Sequence, residues 1–188
     1  RGMIAWYPDY LSLELNNKLA EYLSFDKNNI LTFPGSDVGL ETLCRAFLDD
    51  RDSASCLYPT YENFFIFVLQ TGASLKKIEI DKPLIPNENK ILNHLCSNEN
   101  LKLVYLVNPN NPCGYLLSEE FIRELCKRLP DSIIVVDEAY IEFSDHKSSV
   151  TLINEFENLV VFRTFSKAFG MAGLRLGYMC ASDEIINA

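Results

Sequence analysis

Leu103-Val104-Tyr105-Leu106-Val107, running straight into Asn108-Pro109-Asn110-Asn111-Pro112-Cys113-Gly114, is the stretch that decides the fold. Its first half is a continuous apolar run of strand length. A strand reads this way when both of its faces are covered, as in parallel sheets, whose crossovers lay helices on either side. Its second half is built from Pro, Asn and Gly, the residues that turns demand. Two later runs have the same character, Ile133–Val136 (IIVV) and Leu159–Phe162 (LVVF). A buried helical segment can also be apolar throughout, but short length and β-branching favour strands.

Helical periodicity fills the space around these runs. Leu40, Leu43, Cys44 and Phe47 recur at i, i+3, i+4 and i+7, the stripe of a helix with one buried face. Phe121, Ile122, Leu125, Cys126 and Leu129 do much the same behind Ser118, a residue that can cap a helix. Phe64, Phe65, Val68 and Leu69 form a third stripe, and Leu15, Leu19 and Leu23 a fourth. The aromatics in these stripes read as core. The stretch from Lys82 to Asn100, with Pro83, Pro86 and several Asn, reads as a surface loop leading into a short helix. Strands alternating with helices predict an α/β fold, a mostly parallel central sheet with helices on both faces.

Composition narrows the class. A chain of 188 residues that is 48% hydrophobic and 23% charged suits one globular domain with a sizeable core. A formal charge of −9 with no basic stretch argues against a nucleic-acid partner and reads as solubility. The six cysteines form no C-x-x-C pair and only His94 and His146 accompany them, so no metal site is expected. Scattered singly in apolar segments, they read as reduced core residues of a cytoplasmic protein. No apolar run reaches the length of a membrane span and no signal peptide opens the chain, so no membrane association is expected. Arg1-Gly2-Met3 and Glu184-Ile185-Ile186-Asn187-Ala188 both read as interior sequence, so a fragment is expected.

Ligands of such sheets sit beyond the carboxyl ends of the strands, where four polar elements fall. Thr164-Phe165-Ser166-Lys167 follows one buried run, with Arg175 eight positions on. A lysine at a protein interior can act as an amine nucleophile toward an aldehyde, and hydroxyls with an arginine suit a phosphate; the alternative is an exposed loop lysine. Asp137 ends the run Val135-Val136, where burial is costly without a positive partner; a protonated pyridine nitrogen is one such partner, and a helix cap or structural ion pair is the alternative. Asn111 stands in a loop that is a turn in any case, and its amide could also meet a ligand oxygen. Pro34-Gly35-Ser36-Asp37 opens a helix expected to begin near Val38, where free amides attract phosphate unless Ser36 or Asp37 simply caps them.

Taken in order, Gly-Ser-Asp, Pro-x-Tyr, Asn-Asn-Pro-x-Gly, Asp-Glu-Ala-Tyr, Ser-Lys and Arg resemble the fold-type I pyridoxal-phosphate (PLP) aminotransferases. The text around them, NPNNPCG, VVDEAYIEF and FRTFSKAFGMAGLRLGY, is most similar to the histidinol-phosphate aminotransferase branch. The likeness runs from Tyr7 to Tyr178. It implies that residues 1–188 are a large PLP-binding domain of the aspartate-aminotransferase-like fold, with the strand over Leu174–Ala181 antiparallel. It implies that Lys167 attaches the cofactor and later carries a proton, that Asp137 pairs with the pyridinium nitrogen, and that Tyr140 and Asn111 bond the ring hydroxyl oxygen. Tyr61, in Tyr58-Pro59-Thr60-Tyr61, would stack on the ring. The phosphate would sit among the backbone of Ser36 and Asp37 and the side chains of Thr164, Ser166 and Arg175. Tyr7 matches a tyrosine that reaches the neighbouring subunit's phosphate, which implies a homodimer with shared sites. Cys113, where relatives usually have threonine, and Val38, where an acidic residue is frequent, depart from the pattern. In the family a carboxy-terminal small domain, absent here, supplies an arginine for the substrate.

Transamination between an amino donor and a keto acceptor, with a small phosphorylated compound as a candidate substrate, is the leading expectation. Decarboxylation of a phosphorylated amino acid shares nearly all these motifs. A PLP-binding regulatory module fused to a DNA-binding domain is the third reading, which the complete gene sequence would separate from the enzymes.

Overall fold

A computed structural model describes residues 6–7, 9–80 and 85–188. Among the described residues seven strands form one sheet: β1 (Ile30–Phe33), β2 (Ser53–Tyr58), β3 (Ser74–Glu79), β4 (Leu101–Val107), β5 (Ile133–Asp137), β6 (Leu159–Thr164) and β7 (Gly177–Cys180). The helices are α1 (Leu13–Leu23), α2 (Ser36–Phe47), α3 (Asn63–Gln70), α4 (Glu88–Cys96), α5 (Glu119–Arg128) and α6 (Asp183–Ile186). The strand order is β1-β7-β6-β5-β4-β2-β3. From β3 through β6 every pairing is parallel, and β7 runs antiparallel to both β6 and β1. The expected mostly parallel sheet is what the chain builds.

Side chains of a strand alternate between faces, and the apolar runs divide accordingly. Val104 and Leu106 of β4, Ile134 and Val136 of β5 and Leu159 and Val161 of β6 pack under α1, α4 and α5. Leu103, Tyr105 and Val107, Ile133 and Val135, and Val160 and Phe162 pack on the other face under α2 and α3. Both faces are therefore dry, which is why these strands lack alternation in the sequence. The predicted stripes supply the buried faces of the helices: Leu19 on α1, Leu40, Leu43 and Cys44 on α2, Phe64 and Val68 on α3, and Phe121, Ile122, Leu125 and Cys126 on α5, whereas Leu69, expected in the α3 stripe, is exposed at the end of its helix. Ser118 caps α5, its hydroxyl accepting from the Phe121 amide at 3.1 Å. All six cysteines are free thiols. Burial pushes Cys44, Cys56, Cys126 and Cys180 up to about 12, leaving them as protonated core residues.

Two expectations change in detail and a third holds as far as the residues are described. The helix expected near Val38 starts at Ser36, because Gly35, at φ 101°, makes the turn that admits it. The strand expected over Leu174–Ala181 is confined to Gly177–Cys180; Ala172–Leu174 form a 3₁₀ turn and Arg175 is left-handed, φ 50°, which breaks the extended run. In the stretch after β3, α4 is the helix expected there, while Lys82 and Pro83 lie outside the described residues.

Candidate functional site

A cavity of about 170 Å³ opens beyond the carboxyl ends of β4, β5 and β6. Ser36, Asp37, Tyr61, Asn111, Asp137, Tyr140, Thr164, Ser166, Lys167 and Arg175 all line it, together with Val107, Ala139 and Ala172. Every predicted site residue except Tyr7 is thus brought to one place. Tyr7 is fully exposed, beside an exposed Trp6, and this chain does not bring it to the cavity lining. Larger depressions exist elsewhere, such as one of about 710 Å³ along β3 and α4. Its lining sets Lys77, Glu79, Asn87, Lys90 and His94 among apolar side chains and, among the described residues, holds none of the hydroxyls found here.

One part of the lining is made to receive an anion. Gly35 is the N-cap of α2 and offers no side chain, so neither Ser36 nor Asp37 caps the helix as the alternative reading had it. The first-turn amides, which have no partner inside a helix, are left open to a ligand. Gly177 of β7 lets this helix start come close: a Cβ there would collide with the Ser36 backbone nitrogen. Arg175 lies over Gly35, its NH2 2.6 Å from where a Cβ would stand. Its left-handed backbone costs roughly 1–2 kcal/mol for a non-glycine residue, and such strain gathers at functional positions. Ser166 N–H donates to Thr164 Oγ1 at 3.2 Å, and the two hydroxyl oxygens are 3.1 Å apart. Hydroxyls, guanidinium and helix amides together form a phosphate-type cradle.

A carboxylate supplies another part. Asp137 ends β5 with 8% of its surface exposed. Oδ2 accepts from the Tyr105 hydroxyl at 2.7 Å and Oδ1 from the Ala139 amide at 3.0 Å. Burial raises its pKa, Tyr105 and Ala139 oppose the rise by hydrogen bonding, Asp37 adds to it and Lys167 subtracts. A buried anion of this kind is suited to meeting a cation. Lys167 is exposed, with Nζ 5.4 Å from the centroid of the Tyr140 ring. The Tyr61 hydroxyl donates to the Asp37 carboxylate at 2.9 and 3.1 Å and accepts from Asn63 Nδ2 at 2.7 Å. Burial, then Asp37, keep that hydroxyl protonated.

In the loop after β4 the asparagines divide their work. Asn108 brackets Leu117, donating to its carbonyl at 3.2 Å and accepting its amide at 2.9 Å. Asn110 accepts from the Cys113 amide at 2.9 Å. Asn111 lines the cavity, and its side chain has no hydrogen-bond partner among the described residues. Asn108, the first residue of that turn, is thus structural.

Sequence reasoning missed two features. Tyr105 is hidden in its apolar run; the available signal was that a buried tyrosine needs a partner for its hydroxyl. Glu138 and Arg163, 1% and 5% exposed, form an ion pair on the opposite face, 3.5 Å apart, with Arg163 NH2 donating to Glu142 Oε1 at 2.5 Å. Here the signal was an arginine at the end of a buried strand.

The chain belongs to the class I and II aminotransferases, whose family model matches residues 1–188. It is 40% identical over 192 residues to a histidinol-phosphate aminotransferase of Ruminiclostridium cellulolyticum, an alignment covering 97% of this chain and 51% of that protein. The chain thus spans about half the length of the curated relatives it matches. Among solved structures, a histidinol-phosphate aminotransferase of Sinorhizobium meliloti in complex with pyridoxal-5'-phosphate superposes with TM-score 0.91 at 28% identity, covering 99% of this chain and 51% of that one. An L-threonine-O-3-phosphate decarboxylase of Porphyromonas gingivalis superposes with TM-score 0.84 at 26% identity, covering 98% and 54%.

Proposed function

We propose that residues 1–188 are the large, cofactor-binding domain of a PLP-dependent aminotransferase. The observation that carries the reading is the convergence in one cavity of an amine (Lys167), a buried carboxylate (Asp137) and an uncapped helix start flanked by Arg175, Thr164 and Ser166. These donors match the cofactor group by group. The cradle suits its phosphate, Asp137 its ring nitrogen, the free amide of Asn111 and the Tyr140 hydroxyl its ring oxygen, and the tethered Tyr61 ring its face. When bound, the cofactor supplies an electron sink for carbanion chemistry. Lys167 Nζ would hold it and would move a proton to and from the substrate carbon. Asp137 keeps a proton on the ring nitrogen, and the Asp37 carboxylate fixes the Tyr61 hydroxyl and hence its ring.

The substrates proposed are an amino acid donor and a keto acceptor, with a small phosphorylated compound as one partner; the names of the curated relatives support this. The neighbour named as a phosphothreonine decarboxylase supports a second reading, decarboxylation of a phosphorylated amino acid, since both reactions begin on the same cofactor site. We further propose a homodimer in which Tyr7 reaches the partner's phosphate site. The exposure of Trp6, Tyr7 and Tyr10, at 79%, 100% and 96%, supports that assignment. A cytoplasmic location is supported by the free thiols.

The test is borohydride reduction of the PLP-loaded full-length protein followed by peptide mapping. The label is expected on Lys167, and a label on Lys76, Lys127 or any other lysine refutes the site. Supplying amino donors with keto acids, and assaying new amino acid against released carbon dioxide, separates the two reactions.

A further inference from the structure

Tyr105 is fully buried in β4, and nothing in its packing calls for a hydroxyl. Its ring stacks on Phe64 of α3, centroids 4.4 Å apart and planes 20° from parallel, and Phe64 is itself fully buried. A phenylalanine would fill the same space. A buried hydroxyl costs free energy unless it is paired, and the partner here is Asp137 Oδ2 at 2.7 Å. The register explains the meeting. Val107 pairs with Asp137, and Tyr105, two positions earlier on the same strand, points to the same face.

Building on the PLP reading above, we propose that Tyr105 is a positioning residue for the reaction: its hydroxyl orients Asp137 and weakens it as a base, so that their shared proton stays on the ring nitrogen. A carboxylate that accepts a hydrogen bond has part of its charge satisfied and holds a proton less tightly. In a dry environment the effect is stronger than in water. The other groups that act on Asp137 are the Ala139 amide, the Asp37 carboxylate, the Lys167 amine and, more distantly, the Tyr61 hydroxyl. Asp37 makes Asp137 more basic and Lys167 less so. Tyr105 is the side chain that donates directly to it. Burial first, then the Asp137 charge, keep the Tyr105 hydroxyl protonated, so it remains a donor across the working pH range. Without it, Asp137 keeps only the Ala139 amide, becomes more basic, and draws the proton off the ring.

The experiment uses full-length protein, with and without PLP, in parent, Tyr105→Phe and Phe64→Leu forms. Phe64→Leu loosens the same stack but keeps the hydroxyl. In the cofactor-free protein, the Asp137 carboxyl is followed by carbon NMR against pH and assigned by its absence in Asp137→Asn. Tyr105→Phe is expected to raise its proton affinity about tenfold or more, one pH unit at least. In the loaded enzyme, Tyr105→Phe is expected to lower kcat about tenfold or more, to leave KM for the amino donor within about twofold, and to change the pH dependence of the cofactor's visible absorption. Phe64→Leu should match the parent in both readouts. A Tyr105→Phe protein that titrates and absorbs like the parent overturns the proposal, as does a Phe64→Leu protein that reproduces its changes. Parent protein that takes up no PLP overturns the functional reading and this role together, and the carboxyl titration then still reports whether Tyr105 governs Asp137.

Discussion

Arg163→Met isolates the buried charge network on the far face of the site strands. Arg163 and Glu138 are 5% and 1% exposed, and their charged atoms lie 3.5 Å apart. At an effective dielectric near 20 that separation is worth about 5 kcal/mol of attraction, which offsets the cost of taking Glu138 out of water. Methionine keeps most of the stem's volume, so the lost packing is small. What remains is a buried carboxylate that still accepts from Ser148 Oγ and the Ser149 amide, each at 2.6 Å, but has no cation. Removing one partner of such a pair costs about 3–5 kcal/mol, and that loss is expected at neutral pH. The pH dependence has a definite sign. Burial already raises the Glu138 pKa in the folded chain, against Ser148, Ser149 and Arg163, and removing Arg163 raises it further. Such a group favours the folded state most below its unfolded pKa, and the benefit is lost as pH rises through the folded value. The variant's deficit relative to parent is therefore largest at neutral pH and shrinks as pH falls through the raised folded pKa. Pairing Arg163→Met with Glu138→Gln removes both charges and should return to within about 2 kcal/mol of parent; Glu142, with 18% of its side chain exposed, then turns to solvent. Urea unfolding of full-length parent and variants at neutral pH and near pH 5 measures all of this. A cost under about 1 kcal/mol, the value of a screened surface pair, or a deficit that grows on acidification, refutes the reasoning.

Asp137→Asn fits the same space and should leave PLP bound while slowing turnover about 10²–10⁴-fold; turnover at the parent rate removes the ring-nitrogen role, and failure to fold makes Asp137 structural. Gly177→Ala should push the start of α2 away from β7, because the added Cβ meets the Ser36 backbone rather than a flexible side chain. Affinity for PLP should fall about tenfold or more while affinity for pyridoxal, which lacks the phosphate, changes little, and equal losses for both ligands would refute the cradle. Tyr7→Phe should weaken PLP binding roughly ten- to a hundredfold, the worth of about 1.5–3 kcal/mol for a charge-assisted hydrogen bond. Mixed with Lys167→Ala subunits, it should regain one intact site per hybrid dimer if Tyr7 serves the partner; proven hybrids with no intact site place Tyr7 in its own subunit.

Strands β4, β5 and β6 were legible because burial on both faces erases alternation, whereas β1, β2 and β3, with polar residues among their apolar ones, were not read as strands. Leu103–Val107 packs Val104 and Leu106 on one side and Leu103, Tyr105 and Val107 on the other, so no position could be polar without a partner. The helical stripes were legible for the complementary reason, since only one side of α2 or α5 meets the sheet. The errors fell where single residues override the pattern. Arg175 falls inside the strand expected over Leu174–Ala181, yet its backbone is left-handed, a state that sequence pattern does not report. Gly35 reads as loop, yet its freedom to adopt φ 101° starts α2 at Ser36 and leaves the helix uncapped.

The candidate site was legible as far as it consists of polar residues at strand ends, where a side chain must either meet solvent or meet a ligand. Partners that act from within the strands were not. Asp137 and Glu138 are adjacent carboxylates; the strand end and the resemblance pointed to Asp137, but the sequence left Glu138 without a role. Strand alternation sends them to opposite faces. Asp137 joins Tyr105 and the cavity, whereas Glu138 meets Arg163, Ser148 and Ser149 across the sheet. Each is buried, and burial raises both pKa values. The difference lies in the company each keeps. Glu138 has a fixed internal cation, so its charge is already answered. Asp137 has a phenol and an amide, which orient it without neutralising it, and the Lys167 amine nearby is exposed. A buried carboxylate whose fixed partners are neutral donors, facing a cavity, has capacity left for a cation that arrives with a ligand. That contrast between neighbouring residues, which the register of β4, β5 and β6 brings out, is the physical ground for proposing Asp137 for chemistry and Glu138 for the frame.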